Sequence, residues 1–154
     1  MNFDEAFTKL IGHEGGYVSN PLDKGGETKY GICKRSYPQL EISSLTEYDA
    51  KVIYKRDFWD KCRCADLPAE VRFDVFDGAV NSGVSQSIKW LQRAIGAADD
   101  CVVGPKTIAL ANTQFAGITA RYNGTRLKFM TDLPTWGSFG KGWARRIACN
   151  MTIG

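Results

Sequence analysis

Three residues near the N-terminus have the types and order of a hydrolytic site: Glu14, Asp23 nine positions on, and Thr28 five beyond that. Cleaving a glycosidic bond takes a carboxylic acid that protonates the leaving oxygen and a second group on the opposite face of the sugar. Glu14 suits the acid. It closes a helical pattern made by Phe3, Phe7, Leu10 and Ile11, and Gly15-Gly16 follows as a stop signal. The carbonyl end of a helix and an oily face both disfavour a carboxylate, so both push its pKa toward the working range of a general acid. Asp23 lies among Gly, Pro and Asn, a wetter setting in which a carboxylate stays ionised. Plainer roles fit the same residues: Glu14 as a solvated helix end, Asp23 as the cap of a turn, Thr28 as strand filler.

The elements that must position these groups follow from periodicity. Asn2 or Asp4 caps the first helix. Residues 17–32 have no helical period and read as a turn-rich stretch with a β-hairpin through Lys24-Gly25-Gly26-Glu27. A second helix starts at Thr46, where Thr46 and Asp49 form a capping-box pattern, and continues through Ala50, Ile53, Tyr54 and Phe58. Pro68 fits the first turn of a third helix, apolar over most of its circumference from Val71 to Val80, and therefore central. Asn81-Ser82-Gly83 closes it. Further helical patterns cover 85–95, a short segment through Ile108, Leu110 and Ala111, then 116–130 and 143–151, with a Gly-rich loop at 134–142. The expected class is mainly α with one small hairpin near the N-terminus.

Composition bounds the function. The chain has 154 residues, 44% hydrophobic and 24% charged, the profile of one globular domain. A net charge of +3 suits an anionic partner but lacks the basic stripe of a nucleic-acid binder, so no nucleic acid is expected. No apolar run approaches the roughly 18 residues of a membrane span, and the N-terminus carries acids where a signal peptide carries bases. The expectation is cytoplasmic synthesis without stable membrane association. Five cysteines with no regular spacing argue against a disulfide framework. Cys62-Arg63-Cys64 with the lone His13 lacks the paired spacing of a structural zinc site, so no metal is expected. Acid–base cleavage needs only carboxyls and water, hence no cofactor.

The block Glu14-Gly15-Gly16-Tyr17, followed by Asn20-Pro21-Leu22-Asp23-Lys24-Gly25-Gly26-Glu27-Thr28-Lys29-Tyr30-Gly31-Ile32, resembles the signature of glycoside hydrolase family 108, phage and prophage N-acetylmuramidases. Tyr54-Lys55-Arg56-Asp57-Phe58-Trp59, Phe73-Asp74 and Asn81-Ser82-Gly83 are similar to further family segments. Leu91 to Gly96 with Val103 to Thr107 resembles the family's peptidoglycan-binding segment, with Asp100-Cys101 where Asp-Gly is usual, and Gly140 to Arg146 resembles its C-terminal end. The resemblance implies a single lysozyme-like domain, with a catalytic part at 1–83 and a helical peptidoglycan-binding-like part at 84–154. It also implies Glu14 as catalytic acid, and peptidoglycan glycan strands as partner of a monomer.

The phage lysozymes of glycoside hydrolase family 24 share the order Glu, Asp, Thr, with the threonine one residue closer here. That looser resemblance implies inversion, with Asp23 and Thr28 positioning a water. Tyr17, Tyr30, Asn81 and Trp136 are the candidate substrate contacts. The implied activity is hydrolysis of the β-1,4 bond between N-acetylmuramic acid and N-acetylglucosamine by a phage or prophage endolysin that reaches the wall by holin-type release. A lytic transglycosylase and a non-catalytic wall-binding or secretion-assisting protein are the alternatives.

Overall fold

A computed structural model of the chain describes residues 1–12, 16–19, 22 and 25–152. Among these it has seven α-helices and one two-stranded antiparallel sheet, the expected mainly-α class. None of the helices is long and apolar enough to cross a membrane. The chain divides into two units, Asn2–Asp57 and Phe58–Gly154 with Met1.

In the first unit, α1 spans Phe3–Ile11 and opens on a capping box: the Glu5 N–H donates to the Asn2 side chain, and the Asn2 N–H to the Glu5 carboxylate, both at 2.9 Å. The periodicity predicts a helix reaching Glu14. It stops at Ile11 instead, because Gly12 already supplies the positive φ (+50°) that ends it, three residues before the expected stop.

The hairpin also differs from its expected position. Strands β1 (Thr28–Lys29) and β2 (Ile32–Cys33) are joined by Tyr30 and Gly31, at φ +53° and +76°. Two positive φ values in a two-residue loop are the mark of a type I′ turn, whose twist matches the strands it joins. The Gly25 and Glu27 carbonyls, expected in the turn, instead accept the Arg35 and Lys34 N–H groups and extend the pairing. A turn of 3₁₀ geometry at Ile42–Ser44 leads to α2 (Glu47–Tyr54). Its predicted capping box is present: Asp49 N–H to Thr46 Oγ1 at 3.1 Å, Thr46 N–H to the Asp49 carboxylate at 3.0 Å. After Tyr54 the helix widens into a π turn, Lys55–Trp59.

The second unit contains α3 (Arg72–Ser82), α4 (Val84–Ile95), α5 (Pro105–Thr113), α6 (Ile118–Thr131) and α7 (Trp136–Thr152). Helix α3 packs on α4 and α6, and α6 on α7. All seven residues from Phe73 to Ala79 are buried, in keeping with the predicted central helix. Pro68 precedes the helix rather than opening it; its carbonyl accepts the Val71 N–H in a separate turn.

Residues 136–142, expected as a loop, form the first two turns of α7. The glycines there are not all punctuation: Gly140 is buried, and a Cβ on it would overlap the Trp136 ring. The glycine lets an indole lie on the helix's own backbone.

Candidate functional site

Glu14 and Asp23, the proposed acid and base, lie outside the described residues. Thr28 lies within them, and its surroundings are well defined. It pairs with Cys33 across the hairpin and with Val18 on its other side, through reciprocal N–H···O bonds of 2.8 Å. The Thr28 N–H and carbonyl are thus both held by Val18, Cys33 stands opposite on the other edge, and the half-exposed threonine side chain has a fixed origin.

The same small sheet gathers two candidate sugar contacts. Tyr17 precedes the Val18 bridge and is 45% exposed, while Tyr30 forms the hairpin tip with Lys29 Nζ 5.7 Å from its ring centre. Tyr17, Thr28 and Tyr30 thus lie in or next to one short stretch of paired backbone.

The hairpin tip rests on a residue whose sequence pattern shows only a helix position. Tyr54, at the end of α2 and buried, donates its hydroxyl to the Tyr30 carbonyl at 2.9 Å. Its ring meets Phe7 of α1 at 5.8 Å between centroids. A sequence signal existed: Lys29-Tyr30-Gly31-Ile32 has glycine at the second position of a two-residue turn, which makes Tyr30 the tip and its carbonyl an acceptor in search of a donor. Nearby, Tyr37 donates to the Asp57 carboxylate at 2.8 Å, and Arg56 holds the same carboxylate at 2.7 and 2.9 Å. Burial, aided by Asp57, pushes the Tyr37 phenol pKa well up.

Asn81 and Trp136 belong to the second unit. Asn81 occupies the last turn of α3, half-buried. Trp136 opens α7 with its ring on Gly140 and 6.1 Å from that of Trp143, so part of its surface is covered by its own helix. Trp59, in the family-like segment 54–59, is core: it is 3% exposed and packs edge-on against Phe76. Cys62 and Cys64 are fully buried, and burial pushes the Cys64 thiol pKa up, with Cys62 beside it adding to the rise.

The polar centre of the second unit is a buried charge cluster that sequence patterning missed. Asp77 on α3 accepts from Arg126 on α6 at 2.9 Å, and from Arg146 and Asn150 on α7 at 2.8 and 2.9 Å. Burial works to raise the Asp77 pKa, but hydrogen bonds and charge from Arg146 and Arg126 together outweigh it and hold the carboxyl below its usual range. One turn earlier, Asp74 accepts from Asn123 at 2.8 Å. The available signal was a pair of acids three apart in an otherwise apolar helix, since a buried carboxylate requires a cation from elsewhere.

The loop after α4 carries Asp100-Cys101, where the resemblance leads one to expect Asp-Gly. Cys101 adopts φ +65°, the glycine-like conformation, and its N–H donates to Gln92 Oε1 at 3.1 Å. Buried Gln92 donates in turn to Asp100 and to the Val102 carbonyl, at 2.9 and 3.0 Å. Hydrogen bonds from the Val102 N–H and then Gln92 hold the Asp100 carboxyl below its usual range. Cys101 thus takes the left-handed conformation that glycine favours.

Comparison with known proteins gives the class. No curated protein matches the chain. The profile of the family "Glycosyl hydrolase 108" matches residues 7–83. Among solved structures, one described as the structure of Brucella abortus SagA is 33% identical, covers 97% of this chain and 91% of its own, and superposes with a TM-score of 0.86. The protein is a glycoside hydrolase with a mainly-α, lysozyme-like fold. The chain belongs to the glycosyl hydrolase 108 family.

Proposed function

We propose that this lysozyme-type hydrolase cleaves the β-1,4 bond between N-acetylmuramic acid and N-acetylglucosamine in peptidoglycan. The observation that carries the reading is the family match over residues 7–83, which spans Glu14, Asp23 and the hairpin that holds Thr28. Glu14 protonates the glycosidic oxygen, and Asp23 takes a proton from the attacking water, which Thr28 helps to orient. A water between two walls implies inversion at the anomeric carbon. Two features support Thr28: its N–H and carbonyl are both bonded to Val18 while its other edge faces Cys33 of β2, and Tyr17 and Tyr30 lie close to it along the chain as aromatic surfaces for sugar. Asn81 and Trp136 are further contacts to the strand. Residues 84–154 add affinity for the wall, and the net charge of +3 favours that anionic polymer modestly and in a salt-dependent way. The biological role is that of a phage or prophage endolysin, acting as a monomer on the wall after holin-type release.

Mass spectrometry of a muropeptide digest tests the reaction type. Hydrated reducing ends support hydrolysis; 1,6-anhydro ends would assign a lytic transglycosylase, and no released products a non-catalytic wall-binding protein. NMR of fresh products resolves the stereochemistry: the α-anomer is expected at the new reducing end, and the β-anomer contradicts inversion.

A further inference from the structure

We infer that the Tyr54 hydroxyl is a positioning group for hydrolysis, fixing the hairpin tip and thereby the placement of Thr28 and Tyr30. This rests on the reading above that Thr28 and Tyr30 work on the glycan.

The tip is built against local preference. A type I′ turn favours Asn, Asp or Gly at its first central position, yet Tyr30 stands there at φ +53°. A residue held in a sparsely populated conformation persists only when its surroundings over-determine it. Tyr54 is that surrounding. Its hydroxyl donates to the Tyr30 carbonyl at 2.9 Å, and its ring is held 4% exposed with Phe7 beside it. The turn also presses directly on the oxygen: a Cβ on Gly31 would stand 2.5 Å from Tyr54 Oη but 3.8 Å from Cζ. Gly31 is therefore required twice, by its φ of +76° and by the hydroxyl beneath it.

Stability alone does not require this hydroxyl. Gly31 is exposed and Tyr30 only half-buried, so water can satisfy the turn carbonyl in its absence. Phenylalanine would keep the ring packing. What the hydroxyl adds is location. It ties the tip to the end of α2 and, through Phe7, to α1, the helix that precedes Glu14 in the sequence. Thr28 lies two residues before the tip on a strand of only two residues, so a shift at Tyr30 is transmitted to it. A misplacement near 1 Å can cost a large factor in rate without unfolding anything.

The test is a double-mutant cycle of wild type, Tyr54→Phe, Gly31→Ala and the double variant, assayed on purified peptidoglycan, with thermal melting in parallel. Tyr54→Phe is expected to lower kcat about tenfold, to leave the apparent KM within about twofold, and to melt within a few degrees of wild type. Gly31→Ala is expected to lose more in the wild-type background than in the Tyr54→Phe background, because removing the oxygen removes the overlap. Tyr54→Phe with wild-type kcat, or losses that simply add, overturns the proposal. An inactive wild type would overturn the reading of function along with it, whereas an active wild type with an unimpaired Tyr54→Phe overturns this inference alone.

Discussion

The two units differ in their buried polar side chains: among the described residues, those buried all lie in residues 58–154. In residues 2–57, side chains reach backbone carbonyls close in sequence: Lys34 to Leu40, Lys29 to Ser43, Tyr54 to Tyr30, over 6, 14 and 24 residues. In residues 58–154, charges are sunk between helices: Asp77 is joined to Arg126, Arg146 and Asn150 over 49, 69 and 73 residues. Bonds of the first kind hold turns and loops in shape. Long-range buried bonds fix the order and register of helices. The first kind is replaceable by water; the second is not, because each buried charge depends on its partner. Arg126 shows the dependence: it is fully buried, its Nε and Nη2 find no acceptor among the described residues, and its guanidinium sits 5.8 Å from the Trp90 ring.

The largest expected effect comes from breaking the buried cluster. Asp77→Ala should lower stability by about 3–5 kcal/mol in urea titration, since it strands the Arg126 charge in the core. The same cluster predicts a pH slope. The folded-state pKa of Asp77 is depressed, so its contribution is fully present above the unfolded carboxyl pKa of about 4 and is lost as pH falls through the folded value. Stability of the wild type should therefore fall more steeply on acidification below about pH 4 than that of Asp77→Asn. Parallel acid profiles for the two would remove Asp77 from the account of the second unit.

A smaller effect separates the two units more sharply. Tyr30 and Cys101, one in each, both hold left-handed backbone. Cys101→Gly should stabilise by about 0.5–1 kcal/mol, read from thermal melting, and leave muropeptide release unchanged. Tyr30→Asn, which also suits its turn, should leave stability near wild type and reduce muropeptide release, because the ring rather than the turn is what it removes. Equal activity in both variants would show that the hairpin tip has no role toward substrate.

Much of this was legible in the chain. The α2 cap was readable because Thr46 and Asp49 satisfy each other locally, and α4 because Ile88, Leu91 and Ile95 repeat at helical spacing before Gly96. Glycine misled in both directions. At Gly12 it ended a helix earlier than the apolar pattern suggested, and at Gly140 it sits inside one to admit the Trp136 ring, a contact no local rule encodes. The hairpin turn was misplaced because Lys24-Gly25-Gly26-Glu27 has the richer glycine content, while the sheet selects the two residues whose twist fits. The Asp77 cluster stayed hidden because its partners lie on helices far along the chain, and composition does not say which charges meet.

The central claim is that Glu14 is the acid, and one substitution tests it most directly. Purified Glu14→Gln should still cosediment with peptidoglycan while its hydrolysis falls at least about a hundredfold, the loss typical of removing a general acid. Undiminished hydrolysis by Glu14→Gln would contradict the account.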